Sequence, residues 1–337
     1  MAAPETHHTQ RGFRNPWPDA ALHGYRDFLR WVLLERRRNG RAPDPAPGVF
    51  PLAQPLFDKR VGARGLAATW VGHSTVLLQL EGINVLTDPI WSERASPLPM
   101  LGPRRFVEPG VGFADLPPID LVLVSHNHYD HLDRTTVRRL AARSSETRWL
   151  APLGLGGLLR RWGARHVQEL DWWEEMPLEM PAGVLRVGCA PAQHFSARGL
   201  GDRGRTLWCS WAILGERHRV FFAGDTAYHP EFARIAARFG PFDLVLLPVG
   251  AYEPRWFMRS VHMNPDDALR AYRDLTSANA AVPPPAMLPI HWGTFRLTDE
   301  AMTDPPAWTQ RLWREQALDP TRLWLLQHGE TRRAWSG

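Results

Sequence analysis

The sequence is poor in lysine. Lys59 is the only lysine among 40 basic residues, so arginine supplies almost all of the positive charge that offsets 35 acidic residues. The net charge of +5 slightly favours an anionic substrate or surface. Because the basic excess is dispersed and no added nucleic-acid-binding domain is visible, we do not expect a nucleic-acid partner.

Cysteine and long apolar stretches are also scarce. The two cysteines, Cys189 and Cys209, are too few for a disulfide framework, so a reducing cytoplasm is the simplest setting. The amino terminus lacks the pattern of a signal peptide, and no apolar stretch approaches the ~20 residues of a membrane span. We therefore expect a cytoplasmic protein whose membrane contact, if any, is peripheral.

The most informative segment covers residues 125–131, which read Ser-His-Asn-His-Tyr-Asp-His. It follows the short apolar run 120–124, which predicts a buried strand. A tight loop at the carboxyl end of a strand can turn several side chains toward one point. Imidazole and carboxylate groups suit Zn²⁺, and four such groups behind a hydrophobic strand would be costly to bury without a purpose. We call this segment the metal loop.

Two zinc ions need more donors than this loop offers, because a catalytic zinc takes three protein ligands and keeps one position for water. Three later residues have suitable side chains: His194, Asp225 and His291. Each ends an apolar stretch and has glycine or proline nearby to turn the chain. We expect them to join the metal loop.

The order His-x-His-x-Asp-His, His, Gly-Asp-Thr, His resembles the ligand order of the metallo-β-lactamase superfamily. Longer sequence segments outside the ligands resemble the N-acyl-phosphatidylethanolamine-hydrolysing phospholipase D family more specifically. This resemblance extends from about residue 13 to residue 333. These segments lie at residues 15–18, 87–90, 94–97, 102–106, 116–120, 171–175, 250–258 and 290–295. They are more specific than the ligand signature, which unrelated hydrolases share.

The resemblance implies two zinc ions per chain. The first is expected to be held by His126, His128 and His194. The second is expected to be held by Asp130, His131 and His291, with Asp225 as the bridge. A carboxylate can share its oxygens between two cations, and metals roughly 3.5–4 Å apart can share a hydroxide. That hydroxide would be the nucleophile, since zinc lowers the pKa of water to about 7.

Two further residues receive catalytic hypotheses beside Asp130 and Asp225. Asp88, at a predicted strand end, is placed to orient a ligand imidazole, with turn capping as the alternative. His262 resembles a functional histidine of the family that meets the substrate phosphate, with a helix-entry role as the alternative. His73 and His328 are interpreted as structural.

The candidate substrate-binding residues are Tyr129, Arg255 and Trp256. An arginine could meet phosphate, and the apolar side chains beside Arg255 could shelter acyl chains. An ordinary buried loop is the alternative for residues 250–259.

The pattern of elements predicts an α/β (α+β) fold. Strands cluster within residues 66–87 and 185–223, with helices such as 133–143 outside them, so two packed sheets flanked by helices are expected. This agrees with the four-layer αββα sandwich that the resemblance implies. We assign residues 61–337 to this catalytic domain.

Residues 1–60 are expected to form an extension of the catalytic domain. It would comprise a disordered first dozen residues, a helix from Asp19 through Arg38 and an irregular proline-rich connection. The helix either packs on the domain or lies in a membrane interface, since aromatics beside arginines suit a lipid surface.

The leading interpretation is a zinc-dependent phosphodiesterase of the phospholipase D type, which releases N-acylethanolamine and phosphatidic acid. The alternative is a metal-dependent lactonase acting on a sugar-phosphate lactone. A serine hydrolase is not indicated, because neither Ser74 nor Ser125 lies in a Gly-x-Ser-x-Gly elbow. A metal-stabilised binding protein is disfavoured because every expected ligand is present. The resemblance also implies a homodimer.

Overall fold

Two β-sheets packed face to face form the centre of the molecule. The structure is a computed structural model, and it describes residues 6–18, 20–98, 100–180, 182–199, 201–277 and 283–334. The strands are β1 His8–Thr9, β2 Gly12–Phe13, β3 Leu66–Gly72, β4 Thr75–Leu80, β5 Ile83–Thr87, β6 Leu121–Leu123, β7 Arg148–Pro152, β8 His166–Leu170, β9 Glu175–Met180, β10 Gly183–Ala190, β11 Ser210–Leu214, β12 Arg219–Phe222, β13 Leu244–Pro248, β14 Ala286–Ile290 and β15 Thr331–Ala334. The α-helices are α1 Tyr25–Leu29, α2 Arg36–Asn39, α3 Arg134–Arg143, α4 Gly156–Arg161, α5 Phe232–Phe239, α6 Arg255–Met258, α7 Pro265–Ser277 and α8 Asp304–Glu315.

Each large sheet has an antiparallel part and a parallel part. The first sheet has the order β15-β3-β4-β5-β6-β7-β8, and its strands are parallel from β5 to β8. The second has the order β14-β13-β12-β11-β10-β9, and its strands are parallel from β12 to β14. The loops that follow β5, β6, β12 and β14 meet at one edge of the molecule.

Side chains alternate along the strands between two buried faces. In β4, Leu78 lies in the core between the sheets with Trp211 of β11, whereas Leu77 lies in the outer core with Val137 of α3. Phe221 of β12 packs in a second outer core with α5 and α7. Because both faces are covered, the strands are nearly continuous apolar runs. The arrangement confirms the predicted αββα sandwich.

The prediction that the first dozen residues are disordered is wrong for residues 6–12, and residues 1–5 lie outside the described residues. The short strands β1 and β2 form a ribbon held to the domain by long-range contacts. The Nε2 atoms of His7 and His8 each lie 2.7 Å from an oxygen of Asp171, and the His7 ring stacks on Trp172. These partners are remote in sequence, so the polar local composition does not show them.

The predicted amino-terminal helix is shorter than expected. Its helical residues are 25–39, with a π-helical turn Arg30–Glu35 between α1 and α2, and Asp19 lies outside the described residues. Trp31 is buried against Met258 and Val261, and its indole N–H donates to the carboxylate of Asp299. The helix therefore packs on the catalytic domain. None of the described helices is both long and apolar enough to cross a membrane.

Candidate metal centre

The edge where the loops meet brings the polar side chains together. The metal loop follows β6, and backbone hydrogen bonds hold it to the second sheet, with Cys209 N donating to Ser125 O at 3.0 Å. Gly224 has a φ of +60°, and a Cβ there would lie 2.5 Å from the Cβ of Ser125. Glycine at this position therefore lets the segment that carries Asp225 approach the metal loop closely.

Three histidines form the first donor group. His126 Nε2 lies 2.8 Å from His128 Nδ1, and His194 Nε2 lies 3.1 Å from the same atom. Burial lowers the pKa of His128 to about 3 and that of His194 to about 4, so both rings are neutral and can offer a lone pair. Val261 O lies 2.9 Å from His194 Nδ1, which places the ring proton there and leaves Nε2 free for a metal.

A second donor group surrounds Asp130. Its Oδ2 lies 2.9 Å from His73 Nε2, 3.3 Å from His131 Nε2 and 3.4 Å from His291 Nε2. His73, interpreted from the sequence as structural, thus lies within contact distance of the second donor group and restrains Asp130. This residue lies in the turn between β3 and β4 at a φ of +55°, and its backbone N–H donates to Thr294 Oγ1 at 2.7 Å. The available sequence signal was its place beside Gly72 at a strand end.

Asp225 lies between the two groups. Its Oδ2 is 3.1 Å from His131 Nε2 and 3.2 Å from His291 Nε2 of the second group. The same oxygen is 3.8 Å from His194 Nε2 and 3.9 Å from His126 Nε2 of the first. A single carboxylate oxygen therefore faces donors of both groups.

The chemistry of this cluster fits metal ions. Several of its buried atoms find no hydrogen-bond partner among the described residues: His131 Nε2, both ring nitrogens of His291, His262 Nδ1 and Asp225 Oδ1. Among the described residues, the ion-pair partners of Asp130 and Asp225 are histidines and not lysine or arginine. Burial lowers the pKa of His291, but Asp225 and Asp130 outweigh it and raise that pKa to about 9. Divalent cations would balance these buried carboxylates and accept the unpaired nitrogens.

Asp88 lies behind the second donor group. Its Oδ2 accepts from His131 Nδ1 at 2.7 Å and from Ser125 Oγ at 2.5 Å, and its Oδ1 accepts from Ser125 N at 2.7 Å. These contacts fix the orientation of the His131 ring and direct its Nε2 toward Asp130 and Asp225.

His262 faces the centre from the second half of the chain. Its Nδ1 lies 3.9 Å from Asp225 Oδ2, and its ring centroid lies 5.1 Å from that of His194. The alternative helix-entry role is filled by Asn264, whose side chain accepts from Asp267 N at 2.9 Å at the start of α7. The geometry therefore leaves His262 available to a ligand of the centre.

Arg255 and Trp256 make their contacts away from the donors. The Arg255 guanidinium donates to His262 O at 2.8 Å and pairs with the carboxylate of Asp267. The Trp256 indole donates to Glu35 Oε2 at 2.8 Å in the amino-terminal helix. These contacts hold neighbouring segments in place, and a substrate contact of either residue stays a prediction.

Tyr129, a residue of the metal loop, lines an open cavity of about 650 Å³. Its hydroxyl donates to Arg198 O at 2.8 Å, and the Arg198 guanidinium lies 3.9 Å from the centre of its ring. The cavity is also lined by Arg94, Arg134 and Leu98. The structure thus places Tyr129 beside a basic cavity that borders the metal loop.

Residues 83–292, more than half of the chain, match the family model described as a beta-lactamase superfamily domain. The protein therefore belongs to the metallo-β-lactamase superfamily and is a metallo-hydrolase. It is 42% identical over 291 residues to N-acyl-phosphatidylethanolamine-hydrolyzing phospholipase D 1 of Caenorhabditis elegans, covering 84% of this chain and 80% of the relative. The predicted family resemblance is confirmed.

Two further comparisons agree with this assignment. An uncharacterized protein of Mycobacterium tuberculosis is 44% identical over 282 residues, covering 83% of this chain and 72% of that protein. The solved structure of a metallo hydrolase from Ignicoccus hospitalis has a TM-score of 0.59 at 21% identity, covering 81% of this chain and 100% of that chain. At that identity the structural likeness supports the fold.

Proposed function

We propose that the protein is a zinc-dependent phosphodiesterase of the phospholipase D type, which hydrolyses N-acyl-phosphatidylethanolamine to N-acylethanolamine and phosphatidic acid. The observation that carries the proposal is the position of Asp225 Oδ2, 3.1 Å from His131 Nε2 and 3.8 Å from His194 Nε2. A carboxylate shared by two donor groups suits two-metal hydrolysis of a phosphodiester. The name of the nematode relative supports a lipid substrate.

The donor groups suggest how two zinc ions would be held. The first ion is assigned to His126, His128 and His194. The second is assigned to Asp130, His131 and His291, with Asp225 shared by both. Bound there, zinc ions would activate water and stabilise negative charge on phosphate oxygens. We assign zinc because it accepts imidazole and carboxylate ligands and activates water without redox chemistry.

The protein's own side chains would position these ligands and the substrate. Asp88 holds His131 in the required tautomer through the 2.7 Å contact to Nδ1. His73 restrains Asp130 through its 2.9 Å contact. Burial lowers the pKa of His262 well below its ordinary value, so its ring is neutral and can donate one hydrogen bond. We assign that donor to an oxygen of the substrate phosphate.

The basic cavity beside Tyr129 is our candidate entrance for the lipid. Near it, Leu98, Met100 and Leu101 expose 53%, 82% and 62% of their surface. Exposed apolar side chains next to arginines suit a membrane interface. We therefore propose peripheral contact with a membrane at this loop, so that a phospholipid can pass from the bilayer toward the metal centre.

The remaining proposals concern location and assembly. Cys189 and Cys209 are free and buried, which suits a reducing cytoplasm. A homodimer is proposed from the family resemblance alone. Light scattering coupled to size-exclusion chromatography tests it directly, and a monomeric mass would contradict it.

The proposed activity can be tested with a substrate panel. Purified, zinc-loaded protein is incubated with N-acyl-phosphatidylethanolamine, phosphatidylcholine and sugar-phosphate lactones, and products are identified by mass spectrometry. We expect N-acylethanolamine and phosphatidic acid from the first substrate, and no product after His128→Ala or His291→Ala. Lactone opening without turnover of any N-acyl phospholipid would contradict the proposal and favour the lactonase.

A further inference from the structure

Two adjacent histidines and one aspartate form a further cluster of metal-ligand side chains, which shares no residue with the metal centre. His7 lies just before β1 and His8 begins it, whereas Asp171 directly follows β8. The Nε2 atom of His7 lies 2.7 Å from Asp171 Oδ1, and that of His8 lies 2.7 Å from Asp171 Oδ2. The candidate ligand atoms all lie within 4.8 Å of one another. We call these three residues the ribbon cluster.

The directions of the two imidazole rings are unusual for adjacent residues. Side chains that follow one another in an extended strand point to opposite faces. In the ribbon cluster both rings instead reach one carboxylate, and their centroids are 4.4 Å apart. The His7 ring is held by stacking on Trp172, at a centroid distance of 4.2 Å. The local structure therefore directs two imidazole nitrogens toward the same point.

The charges of the ribbon cluster suit a cation. Burial alone would raise the pKa of Asp171, but the contacts with His7 and His8 lower that pKa overall, so the carboxylate is ionised. Burial lowers the pKa of His7, so this ring is neutral at pH 7. Among the described residues, the ion-pair partners of Asp171 are these two histidines and not lysine or arginine. One carboxylate and two imidazoles are a donor set that zinc accepts.

Solvent can reach the ribbon cluster. The side chains of His7, His8 and Asp171 expose 16%, 48% and 23% of their surface. Three protein ligands leave at least one position of a zinc ion for water. Because water competes there, we expect this ion to be held less tightly than ions in the buried metal centre. Dialysis against zinc-free buffer would then remove it and leave the centre loaded.

The ribbon that carries the two histidines also contacts the metal centre. Further along the same segment, the side chain of Asn15 donates to His194 O at 2.9 Å and accepts from Trp208 Nε1 at 3.2 Å. The backbone N–H of Phe13 in β2 donates to Gly204 O at 2.7 Å. An ion at the ribbon cluster would therefore fasten a segment that supports a donor of the centre.

We propose that His7, His8 and Asp171 bind a zinc ion at a site separate from the metal centre, and that this ion fastens the amino-terminal ribbon to the catalytic domain. Its role is structural. The three ligands belong to neither donor group of the centre, so the proposal does not depend on the proposed hydrolytic activity.

The test counts the zinc ions bound by the full-length protein, using equilibrium dialysis at graded free zinc concentrations and elemental analysis. In His8→Gln, the glutamine amide can still donate to Asp171, but glutamine is not among the usual zinc ligands. His166→Gln is the matched control, because His166 is exposed in β8 and belongs to none of the donor groups in the described part of the chain. We expect the wild type and the control to bind one more ion per chain than His8→Gln. Since the result is a difference, it reports on the ribbon cluster whatever number of ions the centre holds.

Thermal unfolding gives a second measurement. Once the metal centre is saturated, further zinc should raise the melting temperature of the wild type and of His166→Gln but not that of His8→Gln. His8→Gln should fold, because His8 is about half exposed, and circular dichroism checks this. Equal numbers of ions in all three proteins would overturn the proposal and leave only two hydrogen bonds to Asp171. The loss of an ion in both variants alike would overturn it as well.

Discussion

Asp88→Asn tests whether the second donor group depends on the carboxylate behind it. Asp88 accepts three hydrogen bonds, from His131 Nδ1, Ser125 Oγ and Ser125 N. Asparagine has one oxygen, so in either orientation its amide nitrogen faces at least one of these donors. Loss of the charged acceptor also allows the His131 proton to move to Nε2, where it would compete with a metal.

We expect Asp88→Asn to lower metal affinity or turnover by about 10–100-fold, equivalent to about 1.4–2.8 kcal/mol. The fold should persist, because asparagine has the same shape and tolerates the positive φ of +32° at this position. Metal content is measured by elemental analysis after dialysis against graded chelator, with circular dichroism as the check on folding. Asp120→Asn is the matched control, since Asp120 precedes β6 and accepts from Asn84 N, far from the donors along that strand. If Asp88→Asn keeps the wild-type metal affinity and turnover rate, the orienting role is refuted and turn capping remains as the role of Asp88.

Three further outcomes are expected. By elemental analysis, zinc-supplemented protein should hold two metal ions per chain, and the Asp225→Ala variant should hold fewer. One ion or none in the wild type would refute a dinuclear centre. Iron in place of zinc would refute the metal assignment. Metal affinity should rise with pH until about pH 9, because the pKa of His291 is raised to about 9 and its proton must leave before a metal binds; a flat competition titration from about pH 6 to 9 would argue against this ligand. Met100→Asp should weaken vesicle binding about tenfold, whereas Val184→Asp, at a residue 60% exposed in β10, should not; equal binding by both variants would exclude the proposed membrane loop.

Local patterns predicted much of the fold and the shape of the metal loop. The expected helix 133–143 is α3 Arg134–Arg143, and Asp133 caps it by accepting from Thr135 N and Thr136 N. Such caps are readable because donor and acceptor lie within one turn of each other. The four donors of the metal loop could likewise be predicted from the sequence, because they lie within a few residues of one another. The convergence of His194, Asp225 and His291 on it is tertiary, and the order of ligands in the resembling family supplied that part.

Contacts between remote residues account for what the sequence did not predict. His73 contacts Asp130, 57 positions away, and Thr294, 221 positions away, so its local sequence shows only a turn. Arg255 and Trp256 have the composition expected of a lipid contact, yet Asp267 and Glu35 engage them. Composition indicates which interactions a side chain can make, whereas the fold determines which partner it contacts.

Isotope labelling tests the central claim most directly. The zinc-loaded protein hydrolyses N-acyl-phosphatidylethanolamine in ¹⁸O-labelled water, and mass spectrometry locates the label. If the water oxygen attacks phosphorus and the alkoxide of N-acylethanolamine leaves, the label enters phosphatidic acid and the amide alcohol stays unlabelled. Label in the alcohol, or diacylglycerol as the product, would contradict a phosphodiesterase of the phospholipase D type.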